Sequence, residues 1–123
     1  MNHPVEAFLA EYIRATNTHR FDDVAPLINE DAVFWFSSGS YRGLTAIRAA
    51  FERTWTMIQN EVYTVEDVEW LTVDGASATC VYTYHWRGRI DLVEREGSGR
   101  GTTVLRQDGL RWRVVHEHLS ARP

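Results

Sequence analysis

The C-terminal segment of the chain, residues 108–120, reads DGLRWRVVHEHLS. Asp108-Gly109 is a strong hairpin signal, so the segment predicts a turn followed by a last strand over residues 111–120. Alternation places four side chains on one face of that strand: Trp112, Val114, His116 and His118. We expect this face to turn toward helices and to line a cavity. If the two imidazoles lay on the opposite, outer surface of the sheet instead, the cavity would lose its predicted polar lining.

The segments before this hairpin also predict antiparallel strands. Residues 61–73 alternate loosely and end at Asp74-Gly75, a second hairpin signal. We predict strands over residues 76–89 and 100–107, separated by a polar, Gly-containing turn at residues 94–99. One face of the middle strand carries a graded set of side chains that we also place under the helices: Ala78, Cys80, Tyr82, Tyr84 and Trp86.

The first half of the chain has helical periodicity. Apolar residues three and four apart predict helices over residues 3–18, 21–28 and 45–59, and residues 31–37 predict a short strand. Three helices followed by a strand meander indicate an α+β fold, with the helices packed on one face of a curved mixed or antiparallel sheet around an internal pocket. The length of 123 residues predicts a single domain, 1–123.

The charge distribution argues against several function classes. The net charge is −4 and neither half of the chain is basic, so we expect no nucleic-acid partner. All 13 basic residues are Arg, which excludes a Schiff-base lysine and a P-loop lysine. The sequence shows no signal peptide and no apolar run long enough to span a membrane, and Cys80 is the only cysteine. We therefore expect a cytoplasmic protein with no membrane partner.

Three segments in order resemble the nuclear transport factor 2-like, or SnoaL-like, superfamily. They are residues 9–33, residues 41–48 and the closing hairpin quoted above. The closing hairpin is most similar to the association domain of calcium/calmodulin-dependent protein kinase II and its bacterial relatives. The resemblance implies a cone-shaped, cystatin-like fold over nearly the whole chain. It implies little about activity, because this fold hosts many unrelated functions.

The ketosteroid isomerase branch of the superfamily offers one test of catalysis. Its tyrosine falls on Tyr12, its general base falls on or beside Phe36, and its second acid falls near Thr102 or Thr103. A steroid isomerisation needs a carboxylate base and an oxyanion donor. Only the tyrosine is present at the aligned positions, so the sequence argues against that activity.

The pair His116 and His118 leaves several chemical roles open. Two imidazoles on one strand face can buttress a cavity through hydrogen bonds, act as acid and base, or hold a metal. No third metal ligand is visible, so we predict no metal and no cofactor. Arg100 would clamp an anion if it points inward, and is a solvated strand-end residue otherwise.

Three functional hypotheses follow. The first is a homodimer, or a higher oligomer, whose subunits each bind a small organic molecule; the predicted ligand-binding residues are Tyr12, Trp55, Tyr84, Trp86, Arg100, His116 and His118. The second is an enzyme of the cyclase, isomerase or hydrolase kind, in which His116 or His118 moves a proton and Tyr12 steadies an oxyanion. The third is a hub-like self-association module using the outer sheet face, where we expect Val81, Val115, Leu119, Thr83, Arg113 and Glu117.

Overall fold

The structure is a computed structural model that describes residues 3–121. Its helices are α1 (Pro4–Thr16), α2 (Phe21–Val24), which continues as a 3₁₀ turn (Ala25–Leu27), and α3 (Gly43–Met57). Its strands are β1 (Ile28–Phe36), β2 (Gly39–Arg42), β3 (Gln59–Val73), β4 (Ser77–Ile90), β5 (Val93–Asp108) and β6 (Arg111–Ala121). The predicted α+β class is confirmed, and β2 is a short strand that the sequence did not predict.

All six strands form one curved sheet in the order β2-β1-β6-β5-β4-β3. Every neighbouring pair is antiparallel except β1 and β6, which run parallel. The helices cover one face: α3 packs across β1, β2 and β3, and α1 lies against the β3 side. The core therefore lies between the helices and this inner face of the sheet.

Local signals account for the start and the buried face of α1. The imidazole of His3 accepts a hydrogen bond from the Val5 amide, and Glu6 accepts one from the His3 amide, which together form a capping box. Pro4 occupies the first turn, where its missing N–H costs nothing. The buried positions are three and four residues apart: Val5, Leu9, Tyr12 and Ala15. This spacing directs Tyr12 into the interior.

The turn between β4 and β5 is not where the sequence predicted it. The chain reverses at Asp91-Leu92, where both residues have positive φ values of 52° and 67°. Two consecutive left-handed residues match the right-handed twist of a two-residue hairpin. The predicted turn at residues 94–99 is wrong, since these residues lie inside β5 and pair with β4. Leucine is a poor residue for such a conformation, which is why the sequence signal pointed to the nearby glycines.

Within residues 3–121, no helix combines the length and apolarity needed to cross a membrane.

Candidate functional site

A cavity of about 340 Å³ lies between α1, α3 and the inner face of the sheet. Its volume falls within the range of small-molecule sites. Aromatic and apolar side chains form most of its wall: Tyr12, Phe36, Phe51, Trp55, Met57, Ile58, Tyr63, Tyr84, Trp86 and Leu119. Four predicted ligand-binding residues, Tyr12, Trp55, Tyr84 and Trp86, thus line one cavity.

A wider open groove of about 600 Å³ runs between α1 and the edge strand β3. The carboxylate of Glu6 and the guanidinium of Arg14 stand in this groove on exposed residues, and no buried carboxyl group lines it. The inner cavity is therefore the stronger candidate for a site, because chemistry and specificity depend on desolvated polar groups.

Three glycines of β5 make room for the aromatic side chains of β4. Gly97, Gly99 and Gly101 stand opposite Trp86, Tyr84 and Tyr82 in the antiparallel ladder. A Cβ added at Gly97 would lie 2.5 Å from Trp86 Nε1, and one at Gly99 would lie 2.6 Å from Tyr84 Cζ. The rings therefore lie over bare backbone instead of projecting further into the space under the helices.

Glu117 is the most buried charged residue near the cavity. It is 4% exposed and contributes to the cavity wall. Thr103 Oγ1 donates a 3.1 Å hydrogen bond to Glu117 Oε1 and can accept one from the Tyr82 hydroxyl, which is also 3.5 Å from Glu117 Oε1. The hydroxyls of Tyr82 and Thr103 share a 2.7 Å hydrogen bond. Burial raises the pKa of Glu117 to about 7, although the nearby hydroxyls of Thr103, Tyr12 and Tyr82 act in the opposite direction.

Two tyrosine hydroxyls in the cavity wall make no hydrogen bond of good geometry with the described residues, although the Tyr12 hydroxyl lies near Glu117 and the Tyr63 hydroxyl near Tyr82. They belong to Tyr12, which is 2% exposed, and to Tyr63 on β3. Burial, and then the nearby charge of Glu117, raise the pKa of Tyr12 well above its usual value. Burial likewise raises the pKa of Tyr63, so both hydroxyls are neutral donors at physiological pH. An unpaired buried hydroxyl costs free energy, and a bound polar group would relieve that cost.

Glu61 brings a second carboxyl group to the cavity from the start of β3. Its backbone carbonyl is 2.8 Å from His19 Nε2, and the His19 ring stacks on Trp55 with the ring centroids 5.4 Å apart. The residue is 9% exposed, and burial raises its pKa to about 7. Within residues 3–121 neither Glu61 nor Glu117 forms an ion pair. No cation therefore offsets the effect of burial, which raises the pKa of each carboxyl group.

The predicted orientation of His116 and His118 is wrong. Leu105 pairs with Val114 whereas Val104 pairs with His116, so Val115 is an extra residue that forms a β-bulge in β6. From this point the alternation of faces is inverted, and Glu117 replaces the imidazoles on the inner face. The histidine-based acid–base account loses its position at the cavity.

The two histidines instead pack on the outer face of the sheet. Trp35 of β1 makes edge contacts with the rings of both His116 and His118, with centroids 5.1 Å and 5.8 Å apart. His116 Nδ1 is 2.7 Å from the Val33 carbonyl oxygen, a hydrogen bond that tethers the ring to the parallel neighbour β1. Neither histidine lines the cavity.

The inward position considered for Arg100 is also wrong. Arg100 is exposed and alternates with Gly99 and Gly101, which face inward. The basic residue that does line the cavity is Arg53 of α3, whose Nη1 donates a 3.3 Å hydrogen bond to the Tyr41 hydroxyl. Arg53 is exposed at the cavity wall, and within residues 3–121 its guanidinium forms no ion pair with Glu61 or Glu117.

Sequence reasoning missed Glu61, Tyr63 and Glu117 as site residues. Glu117 was assigned to the outer face because an unbroken alternation was assumed, and no local motif marks a bulge. One signal was available: the resemblance put an acid near Thr103, and the ladder pairs Thr103 with Glu117 on the adjacent strand. A carboxyl group thus occupies that neighbourhood from a different strand. In the described part of the chain, no three His, Cys, Asp or Glu side chains meet to hold a metal.

Comparison with known proteins places the chain among cone-shaped domains. Residues 5–123 match the family model described as a SnoaL-like domain. A candidate calcium/calmodulin dependent protein kinase II association domain from Xanthomonas campestris is 21% identical, with a TM-score of 0.86 over 97% of this chain and 86% of that chain. No curated protein matched the sequence.

Two further solved structures are similar over most of their length. A nuclear transport factor 2-like superfamily protein from Salmonella enterica is 16% identical, with a TM-score of 0.87 over 97% of this chain and 89% of that chain. A protein of unknown function from Mycobacterium tuberculosis is 23% identical, with a TM-score of 0.83 over 96% of this chain and 69% of that chain. At these identities the likeness establishes the fold, and the predicted superfamily resemblance is confirmed.

Proposed function

The chain belongs to the SnoaL-like domain family, and we propose that its inner cavity binds a small organic molecule with an apolar body and at least one polar group. The aromatic wall supplies the surface that would bury the body of such a molecule. The polar group would reach the carboxyl groups and the unpaired tyrosine hydroxyls at the inner end.

The observation that supports this proposal most strongly is the pair of buried hydroxyls, Tyr12 and Tyr63, that make no hydrogen bond of good geometry in a cavity that also contains Glu117. Buried polar groups in stable proteins are nearly always hydrogen-bonded. A packing role for the cavity would favour apolar residues at these positions, because each unsatisfied hydroxyl costs about 1–3 kcal/mol. A ligand with a hydrogen-bonding group explains why they are there.

The binding test uses the neutral fluorescent probe N-phenyl-1-naphthylamine. We expect the wild-type protein to bind it, and we expect Leu119→Trp, which fills the cavity, to weaken binding by roughly tenfold or more because the apolar volume is lost. The matched control is Leu110→Trp at the exposed tip of the last hairpin, which should bind the probe as the wild type does. Absence of binding to the wild type, or equal weakening by both variants, would contradict the proposal.

A second candidate function is proton-transfer catalysis of the cyclase, isomerase or hydrolase kind. It is favoured by the two carboxyl groups in one cavity whose pKa values are about 7, because an acid–base group works best when its pKa is near the working pH. In this form of the hypothesis Glu117 or Glu61 moves the proton and Tyr12 donates to an oxyanion. The histidine pair has no part in it.

The catalytic test uses 5-nitrobenzisoxazole, a general reporter of a buried base. The carboxylate removes the proton from carbon 3, the nitrogen–oxygen bond breaks, and 2-cyano-4-nitrophenolate is released. We expect a rate above that of acetate which rises as the pH passes about 7 and is lost in Glu117→Gln or Glu61→Gln. A rate unaffected by both substitutions would contradict a catalytic role for the cavity.

We also propose that the protein forms a homodimer, or a larger oligomer, through the outer sheet face, and that it works in the cytoplasm, where its free Cys80 thiol would persist. Trp35 is 47% exposed on this face beside His116 and His118, and large rings are enriched in interfaces. Leu119 and Glu117, which we expected on this face, point inward. A monomer in light scattering at micromolar concentration would contradict self-association, and Trp35→Arg should shift a dimer toward monomer.

A further inference from the structure

We propose that the ligand of the inner cavity is a protonated organic amine whose apolar body lies among the aromatic side chains and whose ammonium group lies between Glu61 and Glu117. This inference rests on the proposed small-molecule site and specifies the chemical class of its ligand. It follows from the charge balance of the cavity, from the nature of its walls and from the unpaired acceptors at its inner end.

The charge balance of the cavity favours a cation. Glu61 and Glu117 both line it, and neither forms an ion pair in the part of the chain that the structure describes. The basic residue among the lining residues, Arg53, is exposed and bonded to Tyr41. Above pH 7, where both acids are largely ionised, an anionic ligand would place a third negative group beside two uncompensated carboxylates, whereas an ammonium group would compensate them.

The walls of the cavity also suit a cation. Trp55, Trp86 and Tyr84 belong to the residue types whose rings attract ammonium groups most strongly. Tyr84 stacks with Tyr63, with ring centroids 5.9 Å apart, so two electron-rich rings stand together in the cavity that the carboxyl groups also line. A purely apolar molecule would gain nothing from this combination of rings and acids, because it would leave the two buried acids without a charge partner.

The unpaired hydroxyls supply the remaining hydrogen bonds. An ammonium group has three N–H donors and no acceptor. The carboxylate of Glu117 and the hydroxyl oxygens of Tyr12 and Tyr63 are acceptors that line the same cavity, and neither hydroxyl makes a hydrogen bond of good geometry with residues 3–121. A ligand with one carbonyl oxygen could bond to one protonated acid or hydroxyl, but it would leave the second carboxyl group buried without a partner.

Proton release should be coupled to binding, and its sign follows from the neighbours of each acid. The groups facing Glu117 come from one helix and three strands and are all neutral at pH 7: Tyr12, Tyr63, Tyr82, Cys80 and Thr103. His19 forms a hydrogen bond with the backbone carbonyl of Glu61, and the exposed Arg53 lines the same cavity as Glu61. Because burial raises the pKa of both acids to about 7 and keeps them partly protonated at neutral pH, an ammonium group should displace protons on binding.

The experiment compares three probes of one shape by isothermal titration calorimetry. The probes are 2-naphthylmethylamine, 2-naphthylmethanol and 2-naphthoate, which are cationic, neutral and anionic at pH 8. We expect the amine to bind roughly tenfold more tightly than the alcohol at pH 8, and the naphthoate to bind most weakly. The amine preference should shrink at pH 6, where the acids hold their protons. At pH 7, where both acids are partly protonated, the binding heat of the amine should differ between Tris and phosphate buffers, because protons are released.

Variants separate the charge effect from the shape of the cavity. Glu117→Gln and Glu61→Gln should each reduce the preference for the amine over the alcohol while the alcohol still binds. The control is Glu69→Gln, which removes an exposed carboxylate on β3 and should leave the preference unchanged. These variants retain a polar amide of the same size, so a general loss of folding would be visible as a loss of alcohol binding.

Each result decides between the two proposals. Alcohol binding as tight as amine binding, or tighter binding of the naphthoate, would overturn the amine inference and leave the small-molecule site intact. A preference for the amine that survives both Gln variants would also overturn it. Binding of none of the three probes would contradict the small-molecule site itself.

Discussion

The two faces of β6 hold ionisable side chains in opposite environments only one residue apart. Glu117 points inward, is 4% exposed and accepts a hydrogen bond from Thr103. His118 points outward, is exposed, and has its ring against the half-exposed Trp35. The inner face isolates a carboxyl group from water and from cations, which raises its pKa to about 7, whereas the outer face leaves its polar groups solvated.

This difference shows how a single inserted residue can exchange the functional side of a strand. Without the bulge at Val115, the imidazoles of His116 and His118 would line the cavity and Glu117 would face solvent. With the bulge, the cavity contains two acids and several neutral hydroxyls. A cavity lined by the two imidazoles could bind an anion or a metal. A cavity lined by buried acids disfavours an anion, so the two forms of β6 would select different ligands.

The largest expected effect contrasts the same two faces on β1. Phe34 is fully buried on the inner face, and Trp35 is its neighbour on the outer face. Phe34→Ala should lower the free energy of unfolding by about 3–5 kcal/mol, because it leaves a large cavity in the core. Trp35→Ala should cost less than about 1 kcal/mol in the monomer. Urea unfolding measures both, and equal losses would show that the outer face is also packed.

A smaller, pH-dependent effect is expected at Glu117. Its folded-state pKa is raised from 4.5 to about 7, so the stability it contributes is present below pH 4.5 and is lost as the pH rises through 7. Glu117→Gln cannot ionise, and at pH 8 it should be more stable than the wild type by up to about 3 kcal/mol. At pH 4 the two proteins should differ little.

The matched change on the outer face is His118→Gln. It should alter the free energy of unfolding by less than about 0.5 kcal/mol at pH 8, because the side chain is exposed. Thermal or urea unfolding at pH 4 and pH 8 provides the comparison. A wild type that is as stable as Glu117→Gln at pH 8 would mean that the carboxyl group is solvated after all.

The third contrast between inner and outer positions concerns β5, where inner glycines alternate with outer polar residues. Gly99→Ala should destabilise the protein by about 1–3 kcal/mol, because the new methyl group would press against Tyr84 and the Ser120 carbonyl oxygen. It should also weaken probe binding, since Tyr84 would be pushed into the cavity. Ser98→Ala, one residue away on the opposite face, should change stability by less than about 0.5 kcal/mol. Unchanged probe binding in Gly99→Ala would show that the glycine does not shape the cavity.

Much of the fold could be predicted because it depends on local periodicity. The helical spacing of Val5, Leu9 and Tyr12 predicted α1 and its buried face, and the hairpin signal at Asp108-Gly109 predicted the last turn, where Gly109 has a φ of 65°. The inward set on β4 was also predicted. It needed only regular alternation across an unbroken strand, and β4 pairs with β5 without a register shift.

The site was predicted only in part, because its acids depend on events that leave no local mark. Tyr12, Trp55, Tyr84 and Trp86 were identified from their faces on regular helices and strands. Glu117 was missed because the bulge that turns it inward compensates a mismatch between β5 and β6, which are separate segments of the chain. The pairing of glycines with rings was likewise missed, since it joins residues across two strands.

The sequence by itself determined the order of the helices and of every strand except β2, the α+β class and the aromatic character of the inner face, because each follows from side-chain spacing within one segment. Tertiary structure alone decided which ionisable groups meet inside the cavity and how strongly they hold their protons. Burial and register are properties of several segments packed together. A carboxyl group such as that of Glu117 acquires its raised pKa only when water has been displaced from around it by all of them.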